Sequence, residues 1–211
     1  TSLLYATDKI ANTVGHYDAY RKNTAFEKNL ILNLLLPEKN INKNNICFNR
    51  DANEIISNIK CDLLYLDPPY NSRQYCDAYH LLENIARWNK PEVYGVAKKM
   101  DRSSLKSEYC KINATKSFEK LIENTNTKYI LLSYNNMSDK GNDRSNAKIS
   151  DSDILRILNK KGKVRIFETD HKSFSTGKST IKGNKERLFL CEIDNSFKNK
   201  IDVPCPFNYT G

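Results

Sequence analysis

The sequence predicts an α/β fold: a parallel sheet with an antiparallel strand near one edge. Three observations carry that expectation. Short apolar runs alternate with helical stretches from Asn45 to Leu158. The last two runs, "KVRIFET" and "ERLFLCEI", have no helix between them and should pair antiparallel. The 211 residues suffice for one domain, or a large part of one, with a sizeable core.

Taken in order, Thr1 to Asn23 mixes aromatic, polar and basic residues without a clean period. Phe26 to Leu36 is strongly apolar and stops at Pro37, and "PEKNINKNN" is a polar turn region. "NICFN" reads as a short strand, and "DANEIISNIK" as a helix with Asp51 at its N-terminus. "DLLYLD" reads as a buried strand. "DAYHLLENIARW" has helical spacing at Ala78, Leu81, Leu82, Ile85 and Ala86, with Pro91 marking its end. The basic stretch "NKPEVYGVAKKMDRSSLKSEYCK" is weakly patterned and reads as an exposed excursion. "SFEKLIENTN" is a helix and "KYILLSY" a strand. "SDSDILRILNKKGK" is a helix with a capping box from Ser150 to Asp153 and Gly162 just past its end. A basic loop rich in Ser, Thr and Gly, "DHKSFSTGKSTIKGNK", joins the last two strands.

Composition narrows the function classes. With 39% hydrophobic and 28% charged residues the chain reads as soluble and globular. No apolar run nears the roughly 20 residues of a membrane helix. The start "TSLLYATDKIANT" has no signal-peptide pattern. A net charge of +9 favours a polyanionic partner, nucleic acid first. The competing explanation is a coding bias that fills the surface with Lys and Asn. None of the six cysteines forms a C-x-x-C pair, so no metal site is expected. Several lie in apolar runs, where reduced cysteine acts as a small hydrophobe; a reducing, cytoplasmic location is the expectation.

The loudest stretch is "CDLLYLDPPYNSRQY", Cys61 to Tyr75. Ligands of open parallel sheets bind at the carboxyl ends of the strands, where Asp67 falls. Pro68 and Pro69 fix the backbone and offer carbonyls without donors. Asp67 and the Pro68 carbonyl thus form a rigid acceptor pair, with the flat face of Tyr70 beside it. That set suits a planar group bearing an amino group, such as adenine; a plain turn with an aromatic plug fits the same four residues.

The flanks favour the first reading. "DLLYLDPPYNSRQYCDAYHLLENIARW" closely resembles the DPPY region of Dam-like DNA adenine-N6 methyltransferases. The resemblance extends to "ATDKIANTVGHYDAYRK", "NRDANEII", "YILLSYNN" and "NKERLFLCEI", and covers most of the chain. It implies a partial Rossmann-like sheet that uses S-adenosylmethionine to methylate an adenine rotated out of double-stranded DNA. The implied catalytic residues are Asp67, Pro68, Pro69 and Tyr70. Asp67 and the Pro68 carbonyl would hold the amino group, and Tyr70 would stack on the ring. Asp67 also lies beside the cofactor's amino-acid end in this family. Asp51, with Ala52, matches a position that contacts the cofactor's adenine; a helix N-terminal acid is the alternative role. Asn71, Ser72, Arg73 and Tyr75 would face DNA or rim the pocket, and Asn135 would lie beside it. Lys178, Lys182 and Lys185, clustered with Lys172 in one loop, suit phosphates or are simply solvated. His16 and His80 are expected to make structural hydrogen bonds.

By this resemblance residues 1–44 form a connecting or target-recognising region, 45–193 the catalytic region and 194–211 a tail. The family's Phe-x-Gly-x-Gly cofactor loop has no counterpart, since no two of the seven glycines are spaced G-x-G. A second chain or an upstream segment is therefore expected to complete the cofactor site. A non-catalytic DNA-binding subunit and an RNA adenine methyltransferase are the alternatives.

Overall fold

The computed structural model describes residues 31–33, 45–70, 74–96, 99–136, 147–170 and 185–194. The chain divides into two compact units, one from Thr1–Phe48 and Gln74–Lys106, the other from Asn49–Arg73 and Ser107–Gly211.

The second unit carries the sheet. Its elements are α1 (Ala52–Ile55, continued by a 3-10 turn, Ile56–Asn58), β1 (Lys60–Leu66), α3 (Ala114–Glu123), β2 (Asn126–Asn135), α4 (Asp151–Asn159), β3 (Gly162–Asp170) and β4 (Lys185–Ile193). The strand order is β1-β2-β4-β3. β1 runs parallel to β2, with Leu64 opposite Ile130 and Leu66 opposite Leu132. β4 is antiparallel to both neighbours, and lies one strand in from the edge.

The pleat sorts the side chains by parity. Ile130, Leu132 and Tyr134 of β2 and Phe189 and Cys191 of β4 point to one face, where α3 and α4 cover them. Phe118 and Ile122 of α3 and Ile154, Ile157 and Leu158 of α4 complete that core, all of them buried. Both helices show the three-and-four spacing that an amphipathic stripe needs. Leu63 and Tyr65, Tyr129, Leu188 and Phe167 share the opposite face by register, and all five are exposed.

Helix α4 begins as its sequence requires. Ser150 is the N-cap and its Oγ accepts from the Asp153 backbone N–H at 3.2 Å. The return half of a capping box is replaced: the Ser150 hydroxyl sits 2.9 Å from Asp153 Oδ2, a side-chain contact. Gly162 does not cap the helix, whose C-cap is Lys160 in right-handed conformation. It opens β3 instead, where a Cβ would lie 1.9 Å from the Glu192 carbonyl oxygen. Close strand approach, not a left-handed turn, requires this glycine.

One expected strand is absent. Asn45 to Asn49, the "NICFN" run, has no regular structure, and Ile46 and Phe48 are exposed. A strand exists only where a neighbour completes its ladder, and no described strand pairs with this segment.

The first unit contains α2 (Tyr75–Arg87), with Leu82 buried. The helix stops at Trp88, which takes a left-handed conformation (φ 56°), three residues before Pro91. The excursion beyond it forms a bridge between Tyr94 and Lys99 and a 3-10 turn at Ser103–Leu105. It is tied back to α2: Arg102 Nε donates to Asp77 Oδ1 at 2.8 Å, and Asn84 Nδ2 to Met100 Sδ at 3.0 Å. A ring nitrogen of His80 meets the Asp77 carbonyl at 3.2 Å, the structural role expected of that histidine. No described helix is long and apolar enough to cross a membrane.

Candidate active site

Asp67 directly follows β1, so its position is fixed by the β1–β2 ladder. Its carboxylate is exposed, while Pro68, Pro69 and Tyr70 are half-buried. The proline pair turns the chain off the sheet without leaving buried N–H groups to satisfy. Tyr70 then packs on the core, its ring edge-on to Tyr134 with centroids 5.8 Å apart and planes at 71°. That geometry is favourable for two aromatic quadrupoles.

Four consecutive residues behind this turn act as rivets. The Lys148 N–H donates to the Tyr70 carbonyl at 2.8 Å. The Ile149 N–H donates to the Tyr134 hydroxyl at 3.1 Å. Ser150 caps α4, and Asp151 binds Arg187. Burial pushes the Tyr134 hydroxyl up to about 12, so it stays protonated and structural at neutral pH.

Arg187 stands opposite Tyr134 on β4 and is buried. Its Nη1 and Nη2 donate to the two Asp151 oxygens at 2.6 and 2.7 Å, a bidentate pair. Nη2 also donates to the Asn135 carbonyl at 2.6 Å, and the guanidinium lies 5.1 Å from the Phe189 ring centre. The Nε has no hydrogen-bond partner among the described residues. This cation therefore locks the carboxyl end of β2, next to the Asp67 turn, to the first turn of α4. Sequence reading passed over it, although parity offered a signal: Arg187 shares the inward phase of Phe189 and Cys191, where a charge must find a partner.

Asp51 is the N-cap of α1, its carboxylate accepting from the Asn53 N–H at 2.8 Å while staying exposed. Asn53 anchors that turn, donating to the Ser117 carbonyl at 2.8 Å and accepting from the Tyr109 hydroxyl at 2.9 Å. Burial pushes the Tyr109 phenol well above its usual range, which keeps it a donor. Ala52 follows Asp51 and is exposed. Asn135 is buried at the end of β2, and Lys185 forms an ion pair with Glu168. The Lys185 backbone N–H donates to Asn136 Oδ1 at 2.9 Å. In the first unit, Tyr75 opens α2 and is exposed. Asn71, Ser72, Arg73, Lys172, Lys178, Lys182 and His16 lie outside the described residues.

The arrangement offers acceptors for amino groups: the exposed Asp67 carboxylate and the proline carbonyls on a turn held by Tyr134 and Lys148, and the exposed Asp51 carboxylate at the start of α1. Among the described residues no group of three or more His, Cys, Asp or Glu side chains is placed to hold a metal.

Comparison with known proteins identifies a family. The family described as D12 class N6 adenine-specific DNA methyltransferase matches residues 1–146. The modification methylase StsI of Streptococcus sanguinis is 38% identical over 210 residues, which cover 95% of this chain and 30% of that protein. The modification methylase LlaI of Lactococcus lactis subsp. lactis is 32% identical over 215 residues, 100% of this chain and 33% of that protein. The type II methyltransferase M.NlaIII of Neisseria lactamica is 35% identical over 187 residues, 87% of this chain and 52% of that protein. The chain thus spans about a third to a half of the length of these relatives. No solved structure matches it.

Proposed function

We propose that this chain, which belongs to the D12 class of N6 adenine-specific DNA methyltransferases, carries the substrate side of methyl transfer to an adenine turned out of duplex DNA. The observation that carries the reading is Asp67-Pro68-Pro69-Tyr70 at the carboxyl end of a parallel strand, with Tyr70 riveted to Tyr134 and Lys148. In this reading Asp67 accepts from one N–H of the adenine amino group and the Pro68 carbonyl from the other. Two acceptors draw the nitrogen lone pair out of the ring's conjugation and aim it. The half-buried Tyr70 ring stacks on the base, worth roughly 1–3 kcal/mol. The amino group sheds its proton through the hydrogen bond to Asp67.

S-adenosylmethionine, when bound, would supply an electrophilic methyl group for the amino nitrogen that Asp67 and the Pro68 carbonyl hold. The residues present fit part of that donor: Asp67 suits its ammonium, and Asp51 beside Ala52 suits its adenine amino group. A G-x-G backbone cradle is not among the 211 residues, so a further polypeptide segment, on this chain or another, completes the donor site. Double-stranded DNA is the substrate, modification within a restriction system the setting and the cytoplasm the location. Asn71, Ser72, Arg73, Lys178 and Lys182, with Lys185 at the start of β4, serve DNA contact, whereas the buried Asn135 supports the end of β2.

The test is plasmid methylation, read by methyl-sensitive digestion, with the protein expressed from its complete gene. Asp67→Ala should abolish methylation and retain most duplex binding. Equal loss of both, or ribosomal RNA accepting methyl groups in place of duplex DNA, overturns the reading.

A further inference from the structure

The rings of Tyr75 and Tyr79, one helical turn apart on α2, stack at 6.1 Å with planes at 26°. Such pairs steady helices by themselves. Three observations direct this one outward. Tyr75 is 63% exposed and Tyr79 39% exposed, so the pair presents ring surface to solvent instead of filling a core. The turn that carries them is anchored: Asp77 is held by Arg102, whose side chain is only 13% exposed and whose Nη1 also donates to the Met100 carbonyl. The segment that carries the pair is basic and aromatic together. Trp88 and Tyr94 are also exposed, and the Lys90 ammonium lies 4.9 Å from the Trp88 ring centre. From Gln74 to Lys106, basic residues outnumber acidic ones. Aromatic faces among cations are what an unpaired nucleic-acid strand recognises.

We propose that Tyr75 and Tyr79 form a two-ring shelf for one unpaired nucleobase of the DNA. Tyr75 makes the contact, and Tyr79 is the positioning residue that holds the ring of Tyr75 from behind. The proposal rests on the reading that the protein acts on DNA, and it adds a second aromatic site, distinct from Tyr70, for a base that has lost its partner. A stacked ring needs no hydrogen-bond readout, so the shelf takes any base.

The experiment compares two fluorescein-labelled duplexes by anisotropy with the full chain: one fully paired, the other carrying a single bulged adenine. The bulged duplex should bind about tenfold more tightly, in line with the strength of base–aromatic stacking. Tyr75→Ala and Tyr79→Leu should both erase that preference, while Tyr79→Phe keeps it. Far-UV circular dichroism confirms that α2 survives each change. A preference that persists in Tyr75→Ala or Tyr79→Leu, or is absent from the unsubstituted protein because the rings serve a protein partner, overturns the proposal. Asp67→Ala, which tests methyl transfer, should leave the bulge preference intact, so the two readings fail separately.

Discussion

Asp151→Ala should destabilise the protein more than Arg187→Met, although both substitutions break the same ion pair. The asymmetry follows from burial: the Arg187 side chain is 7% exposed and that of Asp151 49%. Removing Asp151 strands a buried guanidinium, leaving it, among the described residues, the Asn135 carbonyl as hydrogen-bond acceptor and the Phe189 ring. Truncating one partner of a buried pair costs about 3–5 kcal/mol, and the half-exposed carboxylate argues for the lower end, about 3 kcal/mol. Asp151 is also a first-turn acid of α4, which adds up to about 1 kcal/mol. Arg187→Met removes the buried charge itself. Asp151 returns to water, methionine fills the space over Phe189, and the remaining cost is the lost hydrogen bond to the Asn135 carbonyl, about 1 kcal/mol. The double variant should therefore be more stable than Asp151→Ala alone. Urea unfolding at pH 7, followed by circular dichroism, measures all three. An Arg187→Met protein as unstable as Asp151→Ala, or a double variant showing the sum of the two losses, would refute the reasoning.

Gly162→Ala should lower stability by about 1–3 kcal/mol, because its Cβ meets the backbone of Glu192 and Ile193, which cannot swing aside as a side chain would. An unchanged thermal midpoint would sink that claim. Burial pushes the Cys191 thiol, which donates to the Leu158 carbonyl, up to about 11 from its usual 9. The unfolded chain then releases this proton first, so the stabilisation is complete below pH 9 and is lost as pH rises through about 11. A urea midpoint that stays flat from pH 8 to 11, or falls equally steeply in Cys191→Ala, contradicts this.

Much of this architecture is legible locally. "DLLYLD" is short, apolar and followed by two prolines, so β1 and its turn could be read from their own residues, but the strand is not buried as expected: Leu63 and Tyr65 are exposed. Ser150 and Asp153 announced the start of α4, and the missing helix between the last two strands foretold the antiparallel β4. What sequence hid was pairing. "NICFN" has strand composition, yet strand formation depends on a neighbour that composition does not encode. Gly162 sits where either a helix cap or a close approach would put glycine, and only the ladder with Glu192 and Ile193 distinguishes them. The acceptor turn was visible in four residues, whereas its rivets, Lys148 to Asp151 and Arg187, come from distant parts of the chain. Long-range contacts of that kind leave little trace in a local window beyond the parity of one charged residue.

The connection from β1 to β2 runs from Asp67 to Thr125 and includes the stretch Gln74–Lys106 that belongs to the other compact unit. Two parallel strands need only about a dozen residues to return. The surplus is thermodynamically cheap, since doubling a connection adds only about 0.6 kcal/mol of closure entropy. The crossover is thus a place where evolution can exchange or lengthen a whole substructure while the ladder from Cys61 to Leu66 stays in register. Grafting the α2 excursion of a related protein between Tyr70 and Tyr109 would exchange that substructure without rebuilding the Asp67 turn or its ladder.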